Sequence, residues 1–129
     1  MTEPRDTISL AEAPVVSAPD GSTVRVLVAS ARGSMARFEL ETGRTTRAVR
    51  HRTVEELWTV VEGRGELWRR TMDGESVVTL EPGVGVVMPV GTSFQFRSLG
   101  PGTLAIVAVT MPPWPGDDEA EIVEGAAGW

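Results

Sequence analysis

One histidine and one nearby glutamate are the residues of this sequence best suited to chemistry. His51 is the only histidine among the 129 residues, and Glu56 follows five positions later. A carboxylate beside an imidazole can hold its tautomer and shift its pKa towards neutrality, so the two form a candidate catalytic acid–base pair. The alternative is a polar pair that satisfies itself inside the fold. Because the chain has no cysteine, disulfides, thiolate metal sites and cysteine nucleophiles are excluded.

His51 and Glu56 lie within a regularly spaced pattern of glycines and one proline. It reads Gly43-(x5)-Val49-x-His51-(x4)-Glu56-(x6)-Gly63, followed by Gly83-(x5)-Pro89-x-Gly91-(x2)-Phe94-(x3)-Ser98. The pattern resembles the two motifs of the cupin family, Gly-(x5)-His-x-His-(x3,4)-Glu-(x6)-Gly and Gly-(x5)-Pro-x-Gly-(x2)-His-(x3)-Asn. The resemblance covers about residues 23–111. It implies an all-β fold, a double-stranded β-helix (jelly-roll) barrel.

Cupins commonly hold a divalent metal with three histidines and one glutamate, and this sequence departs from that set. Val49 and Phe94 stand where the family has its first and third histidines, and Ser98 stands where it often has asparagine. His51 and Glu56 remain as the metal ligands that the resemblance supports. Four- to six-coordinate metal sites need more donors than two, unless water or substrate supplies them. We therefore expect no cofactor, with a divalent metal on this pair as the less favoured alternative.

Short runs rich in Val, Thr, Leu, Phe and Trp recur along the chain, with turn signals between them. Nine such runs predict an antiparallel sandwich or barrel. They are Thr23–Ala29, Met35–Glu41, Arg47–Arg52, Glu56–Glu62, Gly65–Arg70, Ser76–Leu80, Val84–Met88, Phe94–Ser98 and Thr103–Val109. Thr53-x-x-Glu56 has the form of a helix capping box, but the β-forming residues after it favour a strand.

Alternation along these strands predicts which side chains share the interior with His51. Phe38 and Leu40 are expected to face inward, whereas Gln95 and Arg97 are expected to lie outside. The interior is then mostly apolar and aromatic, which is typical of small-molecule sites. For the large rings the alternative is that they only fill the core. The candidate ligand-binding residues are Arg47, Val49, Trp58, Met88, Phe94 and Phe96.

The net charge of −6 is concentrated at the two ends of the chain. Residues 117–129 hold five acidic residues and no basic one. An acidic chain argues against nucleic acid as a partner, because phosphate contacts need clustered cations. The pattern divides the chain into an N-terminal arm (1–22), the barrel (23–113) and an acidic tail (114–129), since the prolines of Met111-Pro-Pro-Trp-Pro-Gly116 cannot sit in a central strand.

Two further features concern surfaces. Leu57, Thr59 and Val61 alternate opposite to the interior and are unusually apolar for an exposed face. Cupins are frequently dimers, so we expect a homodimer that covers this face. Trp114 either caps the pocket, reaches a neighbouring subunit or pins the tail through one buried indole.

The sequence favours a small-molecule-binding cupin of unidentified ligand, either a binding protein or an accessory isomerase or cyclase in small-molecule biosynthesis. The expected ligand is planar or apolar, with an anionic or keto group near His51. The alternative is a metal-dependent enzyme, a dioxygenase or sugar isomerase that uses His51 and Glu56. A third reading is a structural or regulatory barrel filled by its own side chains. No long apolar run or signal peptide is visible, so we expect a cytoplasmic protein without a membrane partner.

Overall fold

The structure, a computed structural model, describes residues 6–129 and is almost entirely β. Two single-turn 3-10 helices, Leu10–Glu12 and Asp117–Glu119, complete it, and neither could cross a membrane. The strands are β1 (Val15–Ser17), β2 (Thr23–Ala29), β3 (Ser34–Leu40), β4 (Val49–His51), β5 (Glu55–Glu62), β6 (Gly65–Thr71), β7 (Gly74–Leu80), β8 (Gly85–Met88), β9 (Ser93–Ser98), β10 (Leu104–Met111) and β11 (Ala120–Ile122).

The strands form two antiparallel sheets. The six-stranded sheet has the order β1-β2-β3-β10-β5-β8, and the five-stranded sheet has the order β11-β4-β9-β6-β7. Chain neighbours such as β4 and β5 therefore lie in different sheets, as in a jelly roll. The nine predicted strands are confirmed, with bounds that differ by at most two residues.

The two end segments contribute a strand each. β1 pairs with β2, and β11 pairs with β4. Each is three residues long, which is too short for alternation to reveal it in the sequence. Residues 1–22 and 114–129, which the sequence sets apart from the barrel, thus supply one edge strand to each sheet; residues 1–5 of the arm lie outside the described residues.

Period-two alternation places the apolar residues between the sheets. β5 shows it most clearly, because Glu56, Trp58 and Val60 are buried while Leu57, Thr59 and Val61 are exposed. Burying one large apolar side chain is worth about 1.5–3 kcal/mol. The core cluster contains Leu40, Val49, Trp58, Val60, Leu67, Leu80, Val86, Met88, Phe94, Phe96, Leu104, Ile106 and Ala108, with Phe38 packed against it.

The expectation that Gln95 is exposed is wrong, because the end of the chain covers it. Gln95 points away from the cavity, but its amide donates to the Thr46 carbonyl at 2.8 Å and accepts from the Ala126 N–H at 2.8 Å. Arg97, on the same face, lies over the Trp129 ring, 4.2 Å from its centroid. The acidic tail therefore lies across the outer face of the five-stranded sheet.

The outer face of the six-stranded sheet keeps an exposed apolar patch. Leu57 is 48% exposed and Val61 is 38% exposed, and Val87, the partner of Leu57 on β8, is 49% exposed. Scattered apolar residues are ordinary on surfaces, whereas adjacent ones mark contact surfaces more often. The homodimer expected from this face stays a prediction.

Gly63 and Gly43 offer a matched test of the packing between the β5–β6 turn and β10. Both have a positive φ (77° and 82°), but a Cβ on Gly63 would lie 2.5 Å from the Thr103 carbonyl oxygen, whereas one on Gly43 would meet nothing within 4 Å. Gly43→Ala should lower the free energy of unfolding by about 1 kcal/mol, the conformational term alone. Gly63→Ala should lower it by about 2 kcal/mol more, because the backbone must shift. Urea unfolding followed by tryptophan fluorescence measures both values; equal losses would contradict the close approach.

Candidate functional site

A cavity of about 300 Å³ lies between the two sheets. Its inner wall is built from buried strand residues, including Val49, His51, Glu56 and Trp58. Its outer wall is built from residues of the two end segments, Val16 to Asp20 on one side and Pro113, Trp114 and Asp117 on the other, most of which are more exposed. The barrel provides a pocket, and the two ends of the chain partly cover it.

His51 and Glu56 meet in this cavity although they come from different sheets. His51 ends β4 and Glu56 is the second residue of β5. The His51 Nδ1 and the Glu56 Oε1 are 3.8 Å apart, which is beyond hydrogen-bond distance. The fold therefore places the two predicted residues side by side, but the two facing atoms do not form a hydrogen bond.

Glu119 fixes the turn that joins the two residues. Its carboxylate accepts hydrogen bonds from the N–H groups of Thr53 (2.7 Å) and Val54 (3.1 Å) and from the Thr53 hydroxyl (2.5 Å). Burial raises the pKa of Glu119, but these hydrogen bonds to its charged form together outweigh burial and lower the pKa. The Thr53-x-x-Glu56 pattern is therefore not a capping box, since Thr53 pairs with a residue of the tail.

The His51 imidazole is enclosed by aromatic rings and is only 6% exposed. The Phe94 ring lies 5.2 Å away and the Trp114 ring 5.1 Å away, both edge-to-face. Burial lowers the pKa of His51 to about 4, and the negative charge of Glu119 opposes this shift only in part. The buried Nδ1 has no hydrogen-bond partner. Well above pH 4 this imidazole is therefore neutral.

The pKa of Glu56 is shifted in the opposite direction. It is 2% exposed, and burial raises its pKa to about 7; the hydrogen bond from the Trp58 indole lowers it and the charge of Asp20 raises it. The Trp58 Nε1 donates to Oε1 at 3.1 Å. Near neutral pH this carboxyl holds a proton for much of the time, because its desolvated anion has no cation beside it.

A second buried acidic residue, Asp20, lines the cavity and was not among the candidate site residues predicted from the sequence. Asp20 accepts hydrogen bonds from the N–H (2.9 Å) and the hydroxyl (2.7 Å) of Ser22. Burial raises its pKa more than these bonds lower it. In the sequence, Asp20-Gly21 is only a turn signal. Its place at the cavity depends on how the arm folds back over the barrel.

Not every predicted ligand-binding residue reaches the cavity. Val49, Trp58, Phe94 and Phe96 line it, together with Phe38. Arg47 does not, because β4 begins two residues later; its side chain is exposed and its N–H donates to the Asp20 carbonyl.

Met88 also lies away from the cavity surface. It pairs with Glu56 across β5 and β8 and is 1% exposed, within the core. Met88 therefore packs in the apolar core and not against the cavity, contrary to its prediction as a ligand-binding residue.

The residues at the family's metal positions do not fit a metal. Val49 and Phe94 face each other as register partners between β4 and β9, so two apolar side chains occupy the place of two imidazoles. Within residues 6–129, no group of three or more His, Cys, Asp or Glu side chains is arranged to hold a metal ion. His51 and Glu56 form a donor set of two, fewer than the three or four protein ligands of ordinary metal sites.

Trp114 closes the cavity beside His51. The Trp114 N–H donates to the Ser34 hydroxyl at 2.9 Å, and that hydroxyl also contacts Thr110. The indole lines the cavity and is partly exposed. Of the sequence-based alternatives for Trp114, its position matches a cap on the pocket; a contact with another subunit is untested.

Several solved structures are similar to this one. The double-stranded β-helix protein from Klebsiella pneumoniae is 18% identical, with coverage of 93% of this chain and 98% of that one and a TM-score of 0.72. A variant of PAC13 from Streptomyces, solved with uridine, is 16% identical, with coverage of 96% and 93% and a TM-score of 0.73. Protein SO0799 from Shewanella oneidensis is 17% identical, with coverage of 85% and 78% and a TM-score of 0.72. At these identities the likeness shows the fold alone.

Sequence comparison gives the family. No curated protein shows a significant match to the chain. The family model described as the Cupin domain matches residues 36–110, which is more than half of the chain and includes both motifs as well as His51 and Glu56. With the jelly-roll topology and the similar structures, this match shows that the chain belongs to the cupin family.

Proposed function

We propose that this cupin binds a small, largely apolar organic molecule in its cavity and relocates a proton on it, with Glu56 as the acid and His51 as the base. The observation that carries the proposal is the burial of His51 and Glu56 side by side, 3.8 Å apart, which displaces their pKa values in opposite directions. Between pH of about 4 and about 7, Glu56 holds a proton to give and His51 has a lone pair to receive one. Groups whose environments push their pKa values apart in this way are suited to acid and base roles.

The geometry gives each group a task. The His51 Nδ1 and the Glu56 Oε1 are 3.8 Å apart, so the imidazole is not hydrogen-bonded to the carboxyl that it faces. The Trp58 indole holds the Glu56 carboxyl in one orientation. The surrounding rings and Trp114 limit the access of water, which strengthens both shifts. The reaction class that fits is an isomerisation, cyclisation or elimination, because each needs one proton removed and one delivered.

The comparisons support a biosynthetic role of this kind. Pac13, a nucleoside dehydratase, has a TM-score of 0.73 with this chain and coverage of 93% of it, and a Streptomyces PAC13 variant was solved with uridine. A dehydration requires a proton acceptor and a proton donor. We extend only this reaction type to the present chain, since 14% identity does not carry a substrate.

We also propose that the protein works without a resident metal. Support comes from the two-member donor set and from Val49 and Phe94 at the other positions. A metal-dependent dioxygenase or sugar isomerase, the alternative drawn from the sequence, would need further ligands from water or substrate.

The acid–base proposal predicts proton exchange into a bound molecule. Untagged protein is incubated in D2O with nucleosides and aromatic hydroxy ketones, and mass spectrometry detects deuterium uptake or loss of water. We expect kcat/KM to fall below pH about 4 and above about 7, and Glu56→Gln and His51→Gln to lower kcat at least ~100-fold. Ala36→Trp, which fills the cavity, should abolish binding, whereas Met35→Trp on the opposite face should not. Equal turnover in wild type and E56Q would refute the proposal.

The buried carboxyl of Glu56 also predicts how stability depends on pH. Its folded pKa of about 7 lies above its ordinary value of 4.5, so its contribution favours the fold below pH 4.5 and is lost as pH rises through 7. The contribution of His51 to stability has the opposite dependence between pH of about 4 and 6.5. It cancels in the comparison because wild type and Glu56→Gln both contain His51. Relative to wild type, the free energy of unfolding of Glu56→Gln should therefore rise by about 2–3 kcal/mol between pH 4.5 and pH 8. Denaturant titrations at several pH values measure this difference, and Glu62→Gln, at an exposed position, is the control. A difference that does not change with pH would contradict the raised pKa of a buried Glu56.

The metal-free proposal predicts the outcome of elemental analysis. Untagged protein from cells grown with added Fe, Mn, Ni, Cu and Zn should carry less than about 0.1 equivalent of each, because sites with full ligand sets bind tightly enough to survive purification. His51→Gln should carry the same background amount. Near-stoichiometric metal in wild type that is lost in this variant would overturn the proposal and favour the metal-dependent alternative.

A further inference from the structure

The cavity has an unusual charge composition. Three acidic residues, Asp20, Glu56 and Asp117, line it, and no lysine or arginine from the described part of the chain does so. Arg47, the one arginine among the candidate ligand-binding residues, is exposed outside the cavity. An anion here would meet carboxyls without a cation, so this lining disfavours it.

The arginines that could neutralise these carboxyls are engaged elsewhere. Arg25 and Arg37 pair with Glu39, and Arg97 pairs with Glu66. These pairs lie on the outer faces of the two sheets. The interior carboxyls therefore lack an internal counter-charge from the described arginines, and burial raises the pKa of both Asp20 and Glu56.

Of these acidic residues, Asp20 is the one best placed to pair with a cationic group of a ligand. It is 8% exposed, and its Oδ1 already accepts two hydrogen bonds from Ser22, which orient the carboxylate without neutralising it. Asp20 and Glu56 both line this cavity, and the charge of Asp20 raises the pKa of Glu56. A cation beside Asp20 would offset its desolvation.

Two other features of the cavity suit an organic cation rather than an inorganic one. The His51 ring lines the cavity with a side chain that is only 7% exposed, and its buried Nδ1 has no hydrogen-bond partner. The walls are aromatic, with Trp58 packed edge-to-face on Phe94 and Phe96 at 5.6 and 5.5 Å. Aromatic faces attract ammonium groups, whereas a hydrated metal ion would have to shed water into an apolar cavity with few donors.

We propose that the ligand of this cavity is an organic cation, an aromatic or apolar body bearing a protonated amine that Asp20 receives. The inference rests on the proposed function and narrows its substrate class. Asp20 acts in it as a specificity-determining residue, while His51 and Glu56 act on the neighbouring part of the molecule. The Asp117 carboxyl at the rim adds to the attraction for a positive charge.

A set of three naphthyl probes tests the charge requirement directly. They are 2-(1-naphthyl)ethylamine, 2-(1-naphthyl)ethanol and 1-naphthaleneacetate, which share a ring system and carry a positive, zero or negative charge at pH 7.5. Calorimetry gives the affinity of each for the full chain. We expect the amine to bind at least tenfold more tightly than the alcohol and the carboxylate to bind most weakly.

Variants then assign the effect to Asp20. Asp20→Asn keeps an oxygen that can accept both Ser22 bonds, so it should fold, lower the affinity for the amine about tenfold and leave the alcohol unchanged. Glu62→Gln removes one carboxylate from the outer surface, where Glu62 is 61% exposed, and should change neither affinity.

The outcomes separate the two proposals. If the alcohol or the carboxylate binds as tightly as the amine, and Ala36→Trp abolishes that binding, the cation proposal fails and the small-molecule pocket stands. If D20N weakens amine and alcohol equally, Asp20 has only a structural role and its assignment is overturned. If none of the three probes binds at millimolar concentration, both the cation proposal and the proposed function are refuted for ligands of this size.

Discussion

The removal of carboxyl groups from water, without a cation to replace the water, is the constraint on which the site depends. Glu56 keeps one hydrogen bond, from Trp58, and faces an imidazole that is itself too desolvated to hold a charge. A charged pair would need both groups ionised in an apolar cavity, so the neutral pair is favoured instead. On a solvated surface a histidine and a glutamate would form an ordinary ion pair. Here both groups are neutral, and the Glu56 carboxyl keeps its proton.

The ends of the chain create that dry environment. Glu119 binds the turn between His51 and Glu56, and Glu121 pairs with Arg50 (2.7 Å) and Arg52 (3.0 Å) beside it. Partly exposed pairs of this kind contribute little individually, but the bonds from Glu119 to buried N–H groups are stronger because they satisfy donors that water cannot reach. The acidity of the tail is therefore structural in part: two of its carboxylates hold the tail against the barrel, which keeps Trp114 beside His51.

The barrel and its site were predictable to different degrees. The glycine and proline spacing gave the cupin barrel, and alternation on β5 and β9 placed Trp58, Phe94 and Phe96 in the interior, because both signals are local and repeat. Asp20, Glu119 and Trp114 could not be assigned, because their positions depend on how the end segments pack, and their neighbours in space are 30 to 80 residues away in sequence. Gln95 shows the same limit: its face was correct, but the tail that buries it has no sequence signal of its own.

The single histidine makes the central claim directly measurable. In untagged protein labelled with ¹⁵N, long-range correlation spectra contain imidazole signals from His51 alone, so its protonation can be followed with pH without an assignment step. We expect the ring to remain neutral from pH 8 down to about 5 and to take up its proton only near pH 4. Titration at the ordinary value near 6.5 would show that the imidazole is hydrated, and the neutral acid–base pair would then be wrong.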